Sequence, residues 1–205
     1  MTSEFTQTMP VQCKPQPWAA WLVKLMGWTI EFDGLPAKQG VLIGYPHTSN
    51  WDFVLLIMAK WAVGIQATFW GKDTLFDIPL FGRWLRWVGG VPVVRNNPRG
   101  VVGQAVDLLQ ERKALGEFCW LGLSPEGTRK RTKGWRSGFY QTALQAHVPL
   151  GLGCVDFPGR VVTLKTFIYL TGDESLDYAY IRTALDGARG KIEVNAAPIQ
   201  PIERQ

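Results

Sequence analysis

The sequence predicts a single α/β domain: a central mixed sheet flanked by helices, with an N-terminal amphipathic helix. Three observations carry this. Short apolar runs alternate with longer stretches of helical periodicity from residue 41 onward. The length, 205 residues, suits one domain with a real core. No internal repeat and no low-complexity linker breaks the alternation.

The elements follow in chain order. Residues 1–16 read as a loose leader and 17–205 as the domain. From Pro17 to Trp28, the residues Trp18, Trp21, Leu22, Leu25 and Trp28 fall at helical spacing, with Lys24 among them. That pattern fits a membrane-interface helix over 17–30, or a helix packed on the domain. Val41–Tyr45 is a buried strand, and Trp51–Val63 an apolar helix with Ser49 and Asn50 as N-cap candidates. Further strands are expected at Ala67–Trp70, Val91–Val94, Glu117–Leu121, Leu150–Val155, Val161–Tyr169 and Lys191–Val194. Further helices are expected at Gly100–Lys113, Ser137–His147 and Ser175–Ala188. Gly71 and Gly116 fall where elements should stop. Val148-Pro149-Leu150 opens a strand and is a candidate pocket wall.

Composition narrows the class. Ten Trp stand beside ten Phe and five Tyr, and Trp suits boundaries between apolar and wet surroundings as well as cores. Net charge is +5 and the pI about 9.2, which favours anionic partners. Cys13, Cys119 and Cys154 form no CxxC pair, so a reducing cytoplasm is the simplest setting. With only His47 and His147, no metal site is expected. No apolar run reaches the length of a spanning helix, about 18 to 20 residues, and the first residues lack a signal peptide's pattern. The basic residues are not set in a nucleic-acid recognition motif, so no nucleic-acid partner is expected.

The most informative stretch is His47-Thr48-Ser49-Asn50-Trp51-Asp52, at the junction of a strand and a helix. A histidine held by a nearby carboxylate is the core of many proton-abstracting sites. On one continuous helix these side chains would lie about 140° apart, so His47 has to stay outside the helix that Asp52 begins. A second block, Gly89-Gly90-Val91-Pro92-Val93-Val94-Arg95, ends an apolar run in an always-charged fork suited to phosphate. A third, Ser124-Pro125-Glu126-Gly127-Thr128-Arg129, leaves the end of a strand, where ligands gather in open α/β sheets. Gly127 lets backbone N–H groups approach an anion, and Arg129, Lys130, Arg131, Lys133 and Arg136 continue as a basic run.

Other chemistries are disfavoured. Gly122-Leu123-Ser124-Pro125-Glu126 lacks the second glycine of a nucleophile elbow. Gly71-Lys72 is followed by Asp73, so there is no P-loop, and no GxGxxG follows the first strand.

The order H-x4-D, then a Gly-rich run ending in Arg, then P-E-G-T-R, then Val-Pro, resembles the glycerolipid acyltransferases, most of all the bacterial 1-acyl-glycerol-3-phosphate acyltransferases. The motifs cover roughly Tyr45 to Leu150. The resemblance implies transfer of a fatty acyl chain from acyl-CoA or acyl carrier protein to a lysophospholipid hydroxyl in phospholipid biosynthesis, with no further cofactor. It implies a peripheral or monotopic protein at the cytoplasmic face of the inner membrane. His47 would be the general base and Asp52 its orienting partner. Arg95 would bind the acceptor's phosphate, with Glu126, Gly127, Thr128 and Arg129 forming the rest of the acceptor site. The backbone N–H groups after His47 would hold the oxyanion. Pro46, Ser124 and Lys130 stand where the family commonly has Asn, Phe and Ser. A different lysolipid, another hydroxyl or amine acceptor, and a non-catalytic lipid-binding role remain open.

Overall fold

The computed structural model describes residues 10–93 and 100–202. The chain builds α1 (Pro17–Leu25), β1 (Thr29–Phe32), β2 (Gln39–Tyr45), α2 (Asn50–Val63), β3 (Ala67–Lys72), α3 (Asp73–Phe76), α4 (Phe81–Trp87), β4 (Gly90–Val93), α5 (Gly100–Ala114), β5 (Cys119–Leu123), α6 (Gly138–Ala146), β6 (Leu150–Asp156), β7 (Val161–Ile168) and α7 (Glu174–Ala184). The strands form one seven-stranded sheet in the order β1-β7-β6-β2-β5-β3-β4. All neighbours run parallel except β6 and β7, so the sheet is mixed, as the alternation predicts.

Parallel register decides what each face carries. Val41, Ile43 and Tyr45 of β2 share one face with Leu121 of β5 and with Leu150 and Leu152 of β6. There they form one buried cluster with Leu109 of α5, Phe139 and Tyr140 of α6, Ile181 of α7, and Trp135. The opposite face carries Gly40, Leu42 and Gly44, paired with Trp120 and Gly122 on one side and with Gly151 and Gly153 on the other. Helices α1 and α2 cover this second face: Ala19 and Val23 of α1 pack on Ala62 of α2. A Cβ added at Gly44 would approach Leu56 of α2 to 2.9 Å.

Several expectations are corrected. Residues 10–16 are not a loose leader: Val11 exchanges backbone hydrogen bonds with Leu35 (3.1 and 2.9 Å), and the N–H of Gln16 donates to Trp61 O at 3.1 Å. Residues 1–9 lie outside the described residues. Gly71 does not end β3; a Cβ there would meet the Phe76 ring at 2.9 Å, so glycine lets α3 fold back on the strand. Lys191–Val194 is not a strand but a turn leading into a short 3₁₀ helix, Glu193–Asn195. β1, α3 and α4 were not anticipated, being short segments of four to seven residues. Val148 is buried in the filled face and does not line the large cavity described below.

Candidate active site

The strand β2 ends at Tyr45, followed by a cis Tyr45–Pro46 peptide bond, and α2 begins at Asn50. His47 therefore lies outside the helix, as its spacing from Asp52 requires. Ser49 is the N-cap, and Asp52 at the third helical position closes a capping box. Asp52 accepts from Thr48 N (2.6 Å) and Ser49 N (2.7 Å) through Oδ2, and from Ser49 Oγ (2.8 Å) through Oδ1. The same Oδ2 lies 3.4 Å from His47 Nδ1. One carboxylate thus starts the helix and faces the imidazole. Asp52 is fully buried. Burial pushes its pKa up, but the interactions with His47, Ser49 and Thr48 outweigh burial and hold it below the ordinary carboxylate range. It is ionised at neutral pH, and it leaves His47 Nε2 for a substrate.

This geometry corrects the expected oxyanion site. The N–H groups of Thr48 and Ser49 are taken by Asp52, that of Trp51 donates to Ser49 Oγ at 3.2 Å, and that of His47 to Glu126. These four N–H groups are therefore engaged within the protein.

Glu126 also has a different place from the one expected. It is fully buried and does not line the cavity. Its Oε2 accepts from the backbone N–H of His47 at 2.5 Å, and its Oε1 from that of Ala197 at 2.9 Å. Burial raises its pKa, with the Ala197 and His47 hydrogen bonds opposing. Glu126 is a strut that fixes the His47 backbone, not a group presented to an acceptor.

Gly127, Thr128 and Arg129 do border the same cavity as His47. Gly127 has φ +65°, a conformation that favours glycine, and the Arg136 side chain packs over it. Arg95 lies outside the described residues.

The cavity has a volume of about 610 Å³, within the usual range of small-ligand sites. It runs from His47 beneath α2, along the glycine-bearing face of the sheet past Gly44, Gly122 and Leu56. Its far wall, including Leu42, Ile65 and Ala67, packs with the buried cluster of Leu35, Trp120 and Phe167. The Trp120 ring lies across Gly40, where an added Cβ would come within 2.3 Å of it. Lys60 is the basic residue deep in the cavity; its Nζ donates to Ala67 O and Val88 O, each at 2.7 Å, and burial lowers its pKa.

Sequence reasoning missed the C-terminal strap over the site. Besides Ala197 on Glu126, Ile192 N donates to Thr48 Oγ1 at 3.3 Å, Tyr45 OH donates to Ala197 O at 3.1 Å, and Lys191 Nζ lies 4.8 Å from the Trp51 ring centre. No local pattern near 190–197 announces these contacts. The capping box had a signal in Ser49-x-x-Asp52.

Comparison with known proteins places this arrangement. A family-level sequence model, Acyltransferase, matches residues 29–161, a span that holds His47, Asp52 and the Glu126–Arg129 turn. The chain belongs to the acyltransferase family. The fold is also similar to the crystal structure of the 1-acyl-sn-glycerophosphate (LPA) acyltransferase PlsC from Thermotoga maritima, at a TM-score of 0.55 and 15% identity, over 82% of this chain and 74% of that one. No curated protein sequence matches significantly. Among the described residues of this acyltransferase, no helix is long and apolar enough to cross a membrane, and no group of three or more His, Cys, Asp or Glu is arranged to hold a metal ion.

Proposed function

We propose that this acyltransferase moves a fatty acyl chain from acyl-CoA or acyl carrier protein to the hydroxyl of a lysophospholipid, 1-acyl-glycerol-3-phosphate being the first acceptor to test, in phospholipid biosynthesis at the cytoplasmic face of the inner membrane. The observation that carries this reading is the His47–Asp52 pair at one end of a largely apolar 610 Å³ cavity. An acyl chain fits the apolar channel, and its thioester carbon would then lie at the end that holds the His47–Asp52 pair. His47 Nε2 takes the acceptor's hydroxyl proton while Asp52 holds Nδ1 and stabilises the imidazolium. The acceptor oxygen attacks the carbonyl carbon, the C–S bond breaks, and the imidazolium returns the proton to the thiolate. Thioesters yield to an activated hydroxyl directly, so neither a covalent acyl-enzyme nor a metal is invoked.

With the N–H groups of His47, Thr48, Ser49 and Trp51 engaged, the oxyanion is assigned to the Gly127–Arg129 turn. The Thr128 hydroxyl is one donor: its oxygen accepts from Lys130 N at 3.3 Å, and its own proton remains to give. Arg129, at the cavity, and Arg95 would hold the acceptor's phosphate.

A screen of lysolipid, hydroxyl and amine acceptors with one long-chain acyl thioester tests the reading, with His47→Ala as control. The control should lose about 10²- to 10⁴-fold in rate. Wild-type turnover by His47→Ala on every acceptor would remove the mechanism.

A further inference from the structure

The end of the cavity far from His47 is apolar except for one ammonium. Leu42, Val63, Ile65 and Ala67 line it there, and the half-buried Lys60 stands among them. An ammonium has three N–H donors and no acceptor. Lys60 Nζ gives two of them to backbone oxygens, Ala67 O at the start of β3 and Val88 O just after α4, each at 2.7 Å. These bonds tie α2 to the sheet. They leave the third N–H, and the charge, without a partner among the described residues, whose ion-paired carboxylates serve other bases. Burial lowers the Lys60 pKa, as expected of an ammonium short of compensation. The backbone makes room for it: Gly89 has φ +96°, and a Cβ there would come within 2.6 Å of Nζ.

A charge beside apolar space is costly until an acceptor lies next to it. A plain methylene chain filling this cavity would displace water from Lys60 and offer nothing in return. A chain that carries an oxygen at the right depth would complete the ammonium's third bond.

Two rulers give that depth. Ala67 is level with Trp120 of β5, which is level with Gly40 of β2. Tyr45 lies five residues beyond Gly40, about 16 Å at the rise of a strand. Along α2, Lys60 lies ten residues past Asn50, about 15 Å at the rise of a helix. An extended hydrocarbon chain advances about 1.25 Å per carbon, given C–C bonds of about 1.5 Å. An oxygen in hydrogen-bond reach of Nζ stops about 3 Å short of it. That oxygen then sits about ten to twelve carbons from a thioester carbon beside His47.

We propose that Lys60 selects acyl donors whose chain carries an oxygen, as hydroxyl or carboxylate, about ten to twelve carbons from the thioester. This rests on the acyltransferase reading and deepens it by naming the acyl group. Nζ donates its third hydrogen bond to that oxygen. A site built to bond a polar group discriminates against the analogue that lacks it.

Donor competition tests this with the full chain and the acceptor that gives turnover in the screen above. Dodecanoyl-CoA, 12-hydroxydodecanoyl-CoA and the mono-CoA thioester of dodecanedioic acid differ only at the far carbon. In the wild type an oxygenated donor should exceed dodecanoyl-CoA in kcat/KM by about five- to tenfold. A lead for the hydroxyl donor identifies a neutral partner, and a lead for the diacid a carboxylate. In Lys60→Met, which keeps the length and removes the donors, dodecanoyl-CoA should lead; a denaturation midpoint checks that the variant is folded. Calorimetric binding of the non-hydrolysable thioethers dodecyl-CoA and 12-hydroxydodecyl-CoA to the wild type needs neither the variant nor turnover, and the hydroxylated one should bind more tightly. Equal or better use of dodecanoyl-CoA by the wild type would overturn the proposal. So would an unchanged donor order in folded Lys60→Met, or equal binding of the two thioethers. Tighter binding of the hydroxylated thioether with no turnover of any thioester would remove the proposed function and leave the Lys60 subsite standing.

Discussion

The two faces of the sheet come from the same strands, yet one is solid and the other is hollow. Toward α5, α6 and α7 the central strands present Val41, Ile43, Leu121, Leu150 and Leu152, packed with Trp135 and Tyr140. Toward α2 the same strands present Gly44, Gly122, Gly151 and Gly153. Alternation along a strand makes this possible, because odd and even positions report to different layers. The difference teaches that a filled core and an open cavity are assigned to opposite sides of one sheet. Branched side chains fill one layer; missing side chains open the other. The His47–Asp52 pair sits at the carboxyl end of β2, and the capping box and the Glu126 strut fix it there.

The sharpest way to break this comparison is a matched pair of truncations. Leu121→Ala, on the solid face, should cost about 2–5 kcal/mol. Leu56→Ala borders an existing cavity and should cost about 1 kcal/mol. Denaturant titrations with equal m-values would measure both, and equal losses would mean that the cavity does not separate the faces.

Glu126→Gln tests the strut. An amide can accept from only one of the two N–H groups that the carboxylate satisfies, so about 1–3 kcal/mol should be lost. The rate should fall more than the affinity for either substrate, because the His47 backbone is displaced. A normal rate would leave Glu126 as packing alone.

Asp52→Ala should cost about 0.5–2 kcal/mol at neutral pH through loss of the helix cap. It should also change the acid limb of the stability profile. The folded-state pKa of Asp52 is depressed, so its stabilisation is present above the unfolded value of about 3.9 and is lost as pH falls through the lower folded value. Denaturation midpoints between neutral and acid pH should fall less steeply in the variant. A superimposable slope would show that Asp52 titrates alike in both states.

The smallest stability effect belongs to Gly122→Ala. A Cβ there meets Thr68 O at 3.4 Å, an ordinary contact, so the change should stay under about 0.5 kcal/mol. Its expected effect is on substrate: the methyl group narrows the hollow face, and the preference among acyl thioesters should move toward shorter or thinner chains. An unchanged donor profile would take the chain out of this part of the cavity.

Much of this was legible in the sequence. The strand–helix alternation predicts the mixed sheet, and it holds because most elements are long enough for periodicity to show. His47 and Asp52 could be paired by their spacing and the turn between them, since only a few local bonds decide it. The short pieces β1, α3 and α4 were hidden because four to seven residues carry too little period.

What the sequence by itself determined is the domain class, a helix start at Ser49 or Asn50, and the candidacy of His47 and Asp52, all properties of neighbours along the chain. Only the tertiary structure decided that Glu126 turns inward to hold His47 and Ala197, seventy-odd residues away on either side. It alone decided that the N–H groups of Thr48, Ser49 and Trp51 are occupied. It also decided that glycines scattered over three strands share one face, because inter-strand register, not sequence distance, brings Gly44, Gly122 and Gly153 together over a cavity.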